Sequence, residues 1–142
     1  MTIAAILQGK GHEVFQLSPG ASLKDAVTLL VDRRIGCAPV VEGGQVIGIF
    51  SERDVLRAIG SGGADVMSAA VSTVMTSPTV TVEPDMGVMT ALSLMTQRRI
   101  RHLPVLDEGR LTGFVSIGDL VKYRIDKIEA EAAAMRDYIQ GA

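Results

Sequence analysis

Arg98-Arg99-Ile100-Arg101-His102-Leu103-Pro104-Val105, followed by Gly113-Phe114-Val115-Ser116-Ile117-Gly118-Asp119, decides the fold because the chain writes it twice. Arg33-Arg34-Ile35 precedes Pro39-Val40, and Gly48-Ile49-Phe50-Ser51-Glu52-Arg53-Asp54 follows. Pro104 lies 65 positions after Pro39, and the same offset relates Pro84 to Pro19, Arg98 to Arg33, Gly113 to Gly48, Ser116 to Ser51 and Asp119 to Asp54. An ungapped internal repeat of this kind sets the architecture before any local reading does.

Working outward, each copy predicts strand, helix, strand, hairpin, strand, helix. In the first, Val14-Phe15-Gln16-Leu17 is a short strand, and Ser22 with Asp25 resembles a capping box. Leu23, Ala26, Val27 and Leu30 carry the apolar stripe of the helix that follows. Ala38-Pro39-Val40-Val41 is the next strand, Glu42-Gly43-Gly44-Gln45 a hairpin loop, and Ser51 opens a helix to about Ile59. The second copy repeats this with a strand over 80–82, a helix over 88–97, strands over 103–106 and 111–115 and a hairpin over 107–110. Thr2 is expected to cap a short N-terminal helix carrying Ile3, Ile6 and Leu7. Gly60-Ser61-Gly62-Gly63 reads as a flexible connector, since it lacks the Lys-Ser/Thr of a phosphate loop and the dinucleotide spacing. Val71 to Met75 reads as one helical turn entering the second copy. The expected fold is therefore α+β, two β-α-β-β-α repeats packed about an approximate two-fold axis, neither burying a sizeable core alone. The expected units are 1–60, a linker over 61–78, 79–125, and a helical extension over 126–142. In that extension Val121, Ile125, Ile128, Ala132, Met135 and Ile139 form a heptad-like seam that the body of the chain or a second chain must cover.

Composition narrows the function. The 142 residues are 47% hydrophobic and 21% charged, ordinary globular values, with Lys+Arg at 14 against Asp+Glu at 16. No global field draws the chain to nucleic acid or an anionic membrane. With no Trp, three Phe and two Tyr, a base-stacking platform is missing. No apolar run approaches the roughly 20 residues of a membrane span, and no secretory signal is visible. One Cys cannot form an internal disulfide. The expectation is a cytoplasmic protein without nucleic-acid or membrane partners.

The chemistry concentrates at the two Gly-x-x-Ser-x-x-Asp junctions. Serine at a helix start leaves donors and the helix dipole facing outward, which stabilises an anion. Aspartate three residues on shares that face, and a carboxylate can accept bonds from two adjacent hydroxyls, as a ribose presents them. The bland alternative is that Ser-x-x-Asp caps its own helix; recurrence at a fixed offset favours the ligand. Cys37 and His102 occupy equivalent places and could approach each other, but two soft ligands make no zinc site and nothing marks an orienting group for a Cys–His nucleophile. No catalytic group is assigned. The four arginines 33, 34, 98 and 99 close helices, where cations are favoured, and read as solvated.

At these residues the sequence resembles the CBS-domain family in its tandem form, the Bateman module. The resemblance covers about 14–59 and 79–124. It rests on Ile-x-x-x-Pro-Val (Ile35 to Val40, Ile100 to Val105), on the two Gly-x-x-Ser-x-x-Asp motifs and on Met75-Thr76. Small stand-alone bacterial members also share an Ile-Leu-x-x-Lys-Gly-like start and a Tyr-Ile-x-Gly-like finish. The resemblance implies a non-enzymatic regulatory module that binds adenosine ligands in clefts between the repeats, pairs into a homodimer and acts on an unidentified protein partner. AMP is the first choice of ligand, then ADP, ATP, NAD(H) or S-adenosylmethionine. By similarity Asp54 and Asp119 would hold ribose hydroxyls, with Ser51 and Ser116 near the ribose or phosphate. Ile35, Gly36 and Cys37, and Ile100, Arg101 and His102 with Pro104, would line the clefts, and Thr79 and Val80 would lie near adenine. Arg101-His102 in place of Gly36-Cys37 predicts clefts that differ in preference for phosphate. A structural dimerisation protein with vestigial clefts is the alternative.

Overall fold

One hairpin forms the centre of each repeat, and the two hairpins have identical register. β1 (Cys37–Glu42) pairs antiparallel with β2 (Gln45–Ser51), and β3 (His102–Asp107) with β4 (Arg110–Ser116). The computed structural model describes residues 1–141; Ala142, the last residue of the expected 126–142 extension, lies outside them. The helices are α1 (Ile3–Lys10), α2 (Leu23–Arg33), α3 (Glu52–Gly62), α4 (Val88–Arg98) and α5 (Ile117–Gly141), with 3-10 turns at Ala64–Ser68 and Val71–Thr73. This is the expected α+β fold of two repeats with a long C-terminal helix.

The repeats match in detail. Both hairpins turn on two residues with positive φ, Gly43 (58°) and Gly44 (80°) in one, Glu108 (50°) and Gly109 (80°) in the other. Both signs are required by the tight turn that suits the twist of the strands. α2 and α4 each end on a left-handed arginine, Arg34 and Arg99, and the following Ile35 and Ile100 amides reach back to Leu30 O and Met95 O. That closure satisfies the last carbonyls and tucks the isoleucine against the core.

Four expectations change. The first strand of each repeat shrinks to one parallel bridge, Leu17 to Val40 and Val82 to Val105. Pro39 and Pro104 accept there from the Leu17 and Val82 amides, but having no N–H they cannot extend a ladder on that side. α3 runs through Gly60 and Ser61 to Gly62, and Gly63 at φ 70° ends it. The segment 64–75 is ordered because Val66, Met67, Val71, Val74 and Met75 pack on the core of the first repeat. Thr2 does not cap α1 with its side chain; the free amides of Ile3 and Ala4 donate instead to Met86 O and Pro84 O.

That last contact reveals how the core is closed. Ile3, Ile6 and Leu7 belong to the cluster of the second repeat, with Val88, Met95, Leu103, Val115 and Leu120. Each repeat is therefore covered by the segment that precedes the other. The motif glycines make room for it: a Cβ on Gly113 would stand 2.6 Å from both Leu7 methyls, and one on Gly48 would collide with the Met75 side chain.

Candidate functional site

The mouths of the hairpins set the site. Cys37 pairs with Ser51 and His102 with Ser116, so each strand-opening residue lies beside the serine where a helix begins. In the second repeat the Ser116 amide donates to Asp119 Oδ2 (2.8 Å) and the Asp119 amide to Ser116 Oγ (3.1 Å). In the first, the Ser51 amide (2.9 Å) and hydroxyl (3.2 Å) both donate to Asp54 Oδ2. Both aspartates thus cap their helices, and their availability to a ligand depends on what else holds them.

Here the copies diverge. Asp54 is 1% exposed, and its second oxygen accepts from Thr76 Oγ1 (2.8 Å) and Arg57 Nη1 (3.2 Å). Asp119 is more open, and its Oδ2 also accepts from Lys10 Nζ (2.6 Å), while Oδ1 has no partner among the described residues. Burial alone would raise the Asp119 carboxyl, but the Lys10 ammonium and the Ser116 donors outweigh it and hold it below its ordinary value.

A cavity of about 670 Å³ opens between the repeats. It brings together Gly36, Cys37, Ser51 and Asp54 of the first with Thr79, Val80, Ile100, Arg101 and His102 of the second. Ile35, Pro104, Ser116 and Asp119 are not on its walls. Ile35 packs against the first core, Pro104 is buried in β3, and Ser116 and Asp119 stand beside α1. The two strand-opening turns, which the sequence distributes over different clefts, share this one. Thr79 Oγ1 is buried without a hydrogen-bond partner among the described residues.

The electrostatics of the cavity are basic. Arg53, Arg57, Arg98, Arg99 and Arg101 line it against Glu52 and Asp54. Arg98 and Arg99 are exposed as expected, yet they stand on the cavity wall rather than on a remote face. Burial pushes the Cys37 thiol up to about 12, with the Asp54 charge adding to it, so the thiol stays protonated and is no nucleophile near neutral pH. Burial lowers His102, and Lys10 and Arg101 lower it further against the opposing pull of Asp119 and Glu52. Its ring stacks on Phe114 at 5.6 Å.

Sequence reasoning missed Thr76 and Lys10 as partners of the carboxylates. Both are quoted only within motifs of the resemblance, and neither neighbours its aspartate in sequence. The geometry could be foreseen only by knowing that each covering segment crosses to the other repeat.

Comparison with known proteins bears on the family and the fold. The family model described as CBS domain matches residues 11–61 and 71–126. The mitochondrial CBS domain-containing protein CBSX3 of Arabidopsis thaliana is 34% identical over 99% of this chain and 72% of its own length. The crystal structure of the CBS-domain containing protein ATU1752 from Agrobacterium tumefaciens superposes with a TM-score of 0.84 at 36% identity, covering 87% of this chain and 99% of that one. The CBS domain protein PAE2072 from Pyrobaculum aerophilum, complexed with AMP, superposes with a TM-score of 0.74 at 26% identity, over 84% of this chain and 89% of that one.

Proposed function

The chain belongs to the CBS-domain family, and from that premise we propose that it is a regulatory module that binds an adenine nucleotide between its repeats and passes the occupancy to a protein partner. The observation that carries this is the cavity itself. It is of a size that takes a small ligand, and it joins residues of both repeats, so a bound molecule would bridge them. It holds a buried hydroxyl, Thr79 Oγ1, that a ligand atom would satisfy, and five arginines that favour phosphate. The AMP held by the Pyrobaculum protein supports AMP as the first candidate, before ADP, ATP, NAD(H) and S-adenosylmethionine. In this reading Thr79 and Val80 meet the base and the arginines meet the phosphate. Asp54 would receive a ribose hydroxyl of this ligand by exchange with one of its present donors; Asp119, off this cavity's wall, would offer its free oxygen only to a second ligand. The working units remain 1–60 and 79–125, with 61–78 between them and 126–142 as an extension.

The proposal assigns no catalysis, since Cys37 is held as a thiol and no base is placed beside a nucleophile. Among the described residues no helix is long and apolar enough to cross a membrane; the proposal places the module in the cytoplasm, as a homodimer without nucleic acid. A second reading, a dimerisation protein with vestigial clefts, draws on the exposed apolar face of α5. Denaturing the purified protein and assaying the supernatant for ultraviolet-absorbing nucleotide, followed by calorimetry with AMP, ADP, ATP, NAD and S-adenosylmethionine, separates the two. Release or binding of an adenosine ligand is expected; no release and no binding across the panel would leave the dimerisation reading.

A further inference from the structure

α5 outruns its counterpart in the first repeat, and the seam along it is written for a particular neighbour. α3 ends at Gly62, whose repeat partner is Lys127, yet α5 continues to Gly141. Val121, Ile125, Ile128, Ala132, Met135 and Ile139 are all exposed on it. Their spacing alternates four and three residues, which makes them successive d and a positions of a heptad. Leu120 and Tyr123, which pack on the core of the second repeat, then fall at c and f, on the opposite side of the helix. The body of the chain thus holds α5 by its back and leaves the seam open to a helix of another molecule.

The charges beside the seam decide how that helix runs. Positions e and g carry Lys122, Arg124, Glu129, Glu131 and Arg136. Among the described residues none of these five takes part in an ion pair within the chain. In a parallel, in-register pair each g residue meets the e residue five positions further on in the other copy. Arg124 then faces Glu129, and Glu131 faces Arg136, opposite in sign and occurring twice each by symmetry. In an antiparallel pair over the whole seam e meets e and g meets g. Glu129 and Glu131 would each face their own copy and Lys122 would face Arg136, like charges throughout. Sliding the antiparallel pair by one heptad escapes this only by uncovering Met135 and Ile139, or Val121 and Ile125. We propose that the α5 seam is covered by α5 of a second copy lying parallel and in register, so that both pairs of repeats stand at one end of the helix pair; this rests on the homodimer of the reading above and not on its nucleotide.

Single cysteines read the direction in the full chain, with Cys37→Ala removing the native thiol. Val121→Cys and Ile139→Cys, each alone, are expected to form a disulfide between copies under mild oxidation, since a parallel pair sets each position beside itself. Neither meets itself in the antiparallel registers; with the whole seam paired, Ile125→Cys would instead link to Met135→Cys in a mixture of the two. Charge gives an independent readout. Arg124→Glu should raise the dimer dissociation constant, read by light scattering on dilution, by about ten-fold, and Arg124→Glu combined with Glu129→Arg should recover it. That recovery belongs to the parallel pair, because whole-seam antiparallel pairing would leave two arginines facing each other at position 129. If Val121→Cys melts early, Ile139→Cys and the charge exchange carry the test. A dimer in which Ile125→Cys links to Met135→Cys but Ile139→Cys does not link to itself would overturn the parallel arrangement and leave the homodimer standing. A monomer at every concentration would overturn the homodimer and this inference together, whatever calorimetry shows for the nucleotide.

Discussion

Thr79 is the residue at which stability and binding should part company. A buried hydroxyl with no partner costs roughly 1–3 kcal/mol, and valine fills the same volume without it. Thr79→Val is therefore expected to raise the melting temperature of the ligand-free protein by about 2–4 °C while weakening adenosine nucleotides several-fold in calorimetry. A variant that melts lower and binds unchanged would make Thr79 a packing residue only. His102 carries a second expectation, in pH. Burial, with Lys10 and Arg101, holds its folded pKa below the ordinary value despite Asp119 and Glu52, so as pH falls through about 6.5 the unfolded chain takes the proton first. Stability should thus decline as pH falls through and below the ordinary histidine range, about 6.5, and His102→Gln should flatten that part of the melting curve series. An equal decline in the variant would assign it to another group. At this scale part of the cavity lining was readable from sequence. Ser51 and Asp54 follow from the repeated motif, Arg101 and His102 from where the copies differ, and Thr79 only from the family resemblance, whereas Thr76 and Lys10 needed the crossing of segments distant in sequence. Nor could an offset reveal that Asp54 would be buried under four donors and Asp119 under two.

Elements were legible where local chemistry governs them and misread where a neighbour does. The hairpins follow from Gly43-Gly44 and Glu108-Gly109, and the left-handed Arg34 and Arg99 sit where the helical stripes stop. The first strand of each repeat was overestimated because the proline that limits its pairing lies on the partner strand. Of the two positive-φ turn residues, Glu108 is the one in which the copies differ. It holds φ 50° where the first repeat has Gly43. Left-handed backbone costs a side-chain-bearing residue roughly 1–2 kcal/mol, partly offset by the entropy that glycine loses on folding. Glu108→Gly should accordingly raise ΔG of unfolding in a denaturant titration by about 0.5–1 kcal/mol, with ligand affinity unchanged; a loss of stability would show the turn to be unstrained. α5 poses the larger question. The body of the chain buries Leu120 and partly covers Tyr123, but Val121, Ile125, Ile128, Met135 and Ile139 remain exposed. A helix of 25 residues with such a stripe draws its stability from packing, so the cover expected is a second chain. Ending the chain after Tyr123 should shift the mass in light scattering toward monomer, and an undiminished dimer would move the interface to the repeats.

The whole molecule is held together by an exchange of covers, and that exchange is unequal along the chain. The first repeat is closed by 64–75, which follows it directly, whereas the second is closed by α1, which lies before the first. Repetition predicted two repeats sharing a core but not this crossing, because the short apolar stripe Ile3, Ile6 and Leu7 fits either repeat, and the choice is made by contacts invisible in the stripe, such as the bonds from Ile3 and Ala4 to Met86 and Pro84 and from Lys10 to Asp119. The consequence can be sized. Ile3, Ile6 and Leu7 are 0%, 6% and 1% exposed, and burying each contributes about 1.5–3 kcal/mol. Removing all three withdraws on the order of 5–8 kcal/mol, which is comparable with the whole stability of a domain at roughly 5–15 kcal/mol. Deleting residues 1–10 should therefore unfold the second repeat while leaving the first, whose cover remains attached. Hydrogen exchange would read this as lost protection in β3, β4 and α4 with β1, β2 and α2 still protected. A synthetic peptide of residues 1–10 added at high concentration should restore it, and the same peptide with Lys10 replaced by methionine should restore it nearly as well, since the apolar residues and not the ion pair supply the cover. Uniform loss of protection in both repeats would mean that the two cores fold as one cooperative unit, and unchanged protection would mean that α1 is an ornament on a self-sufficient second repeat.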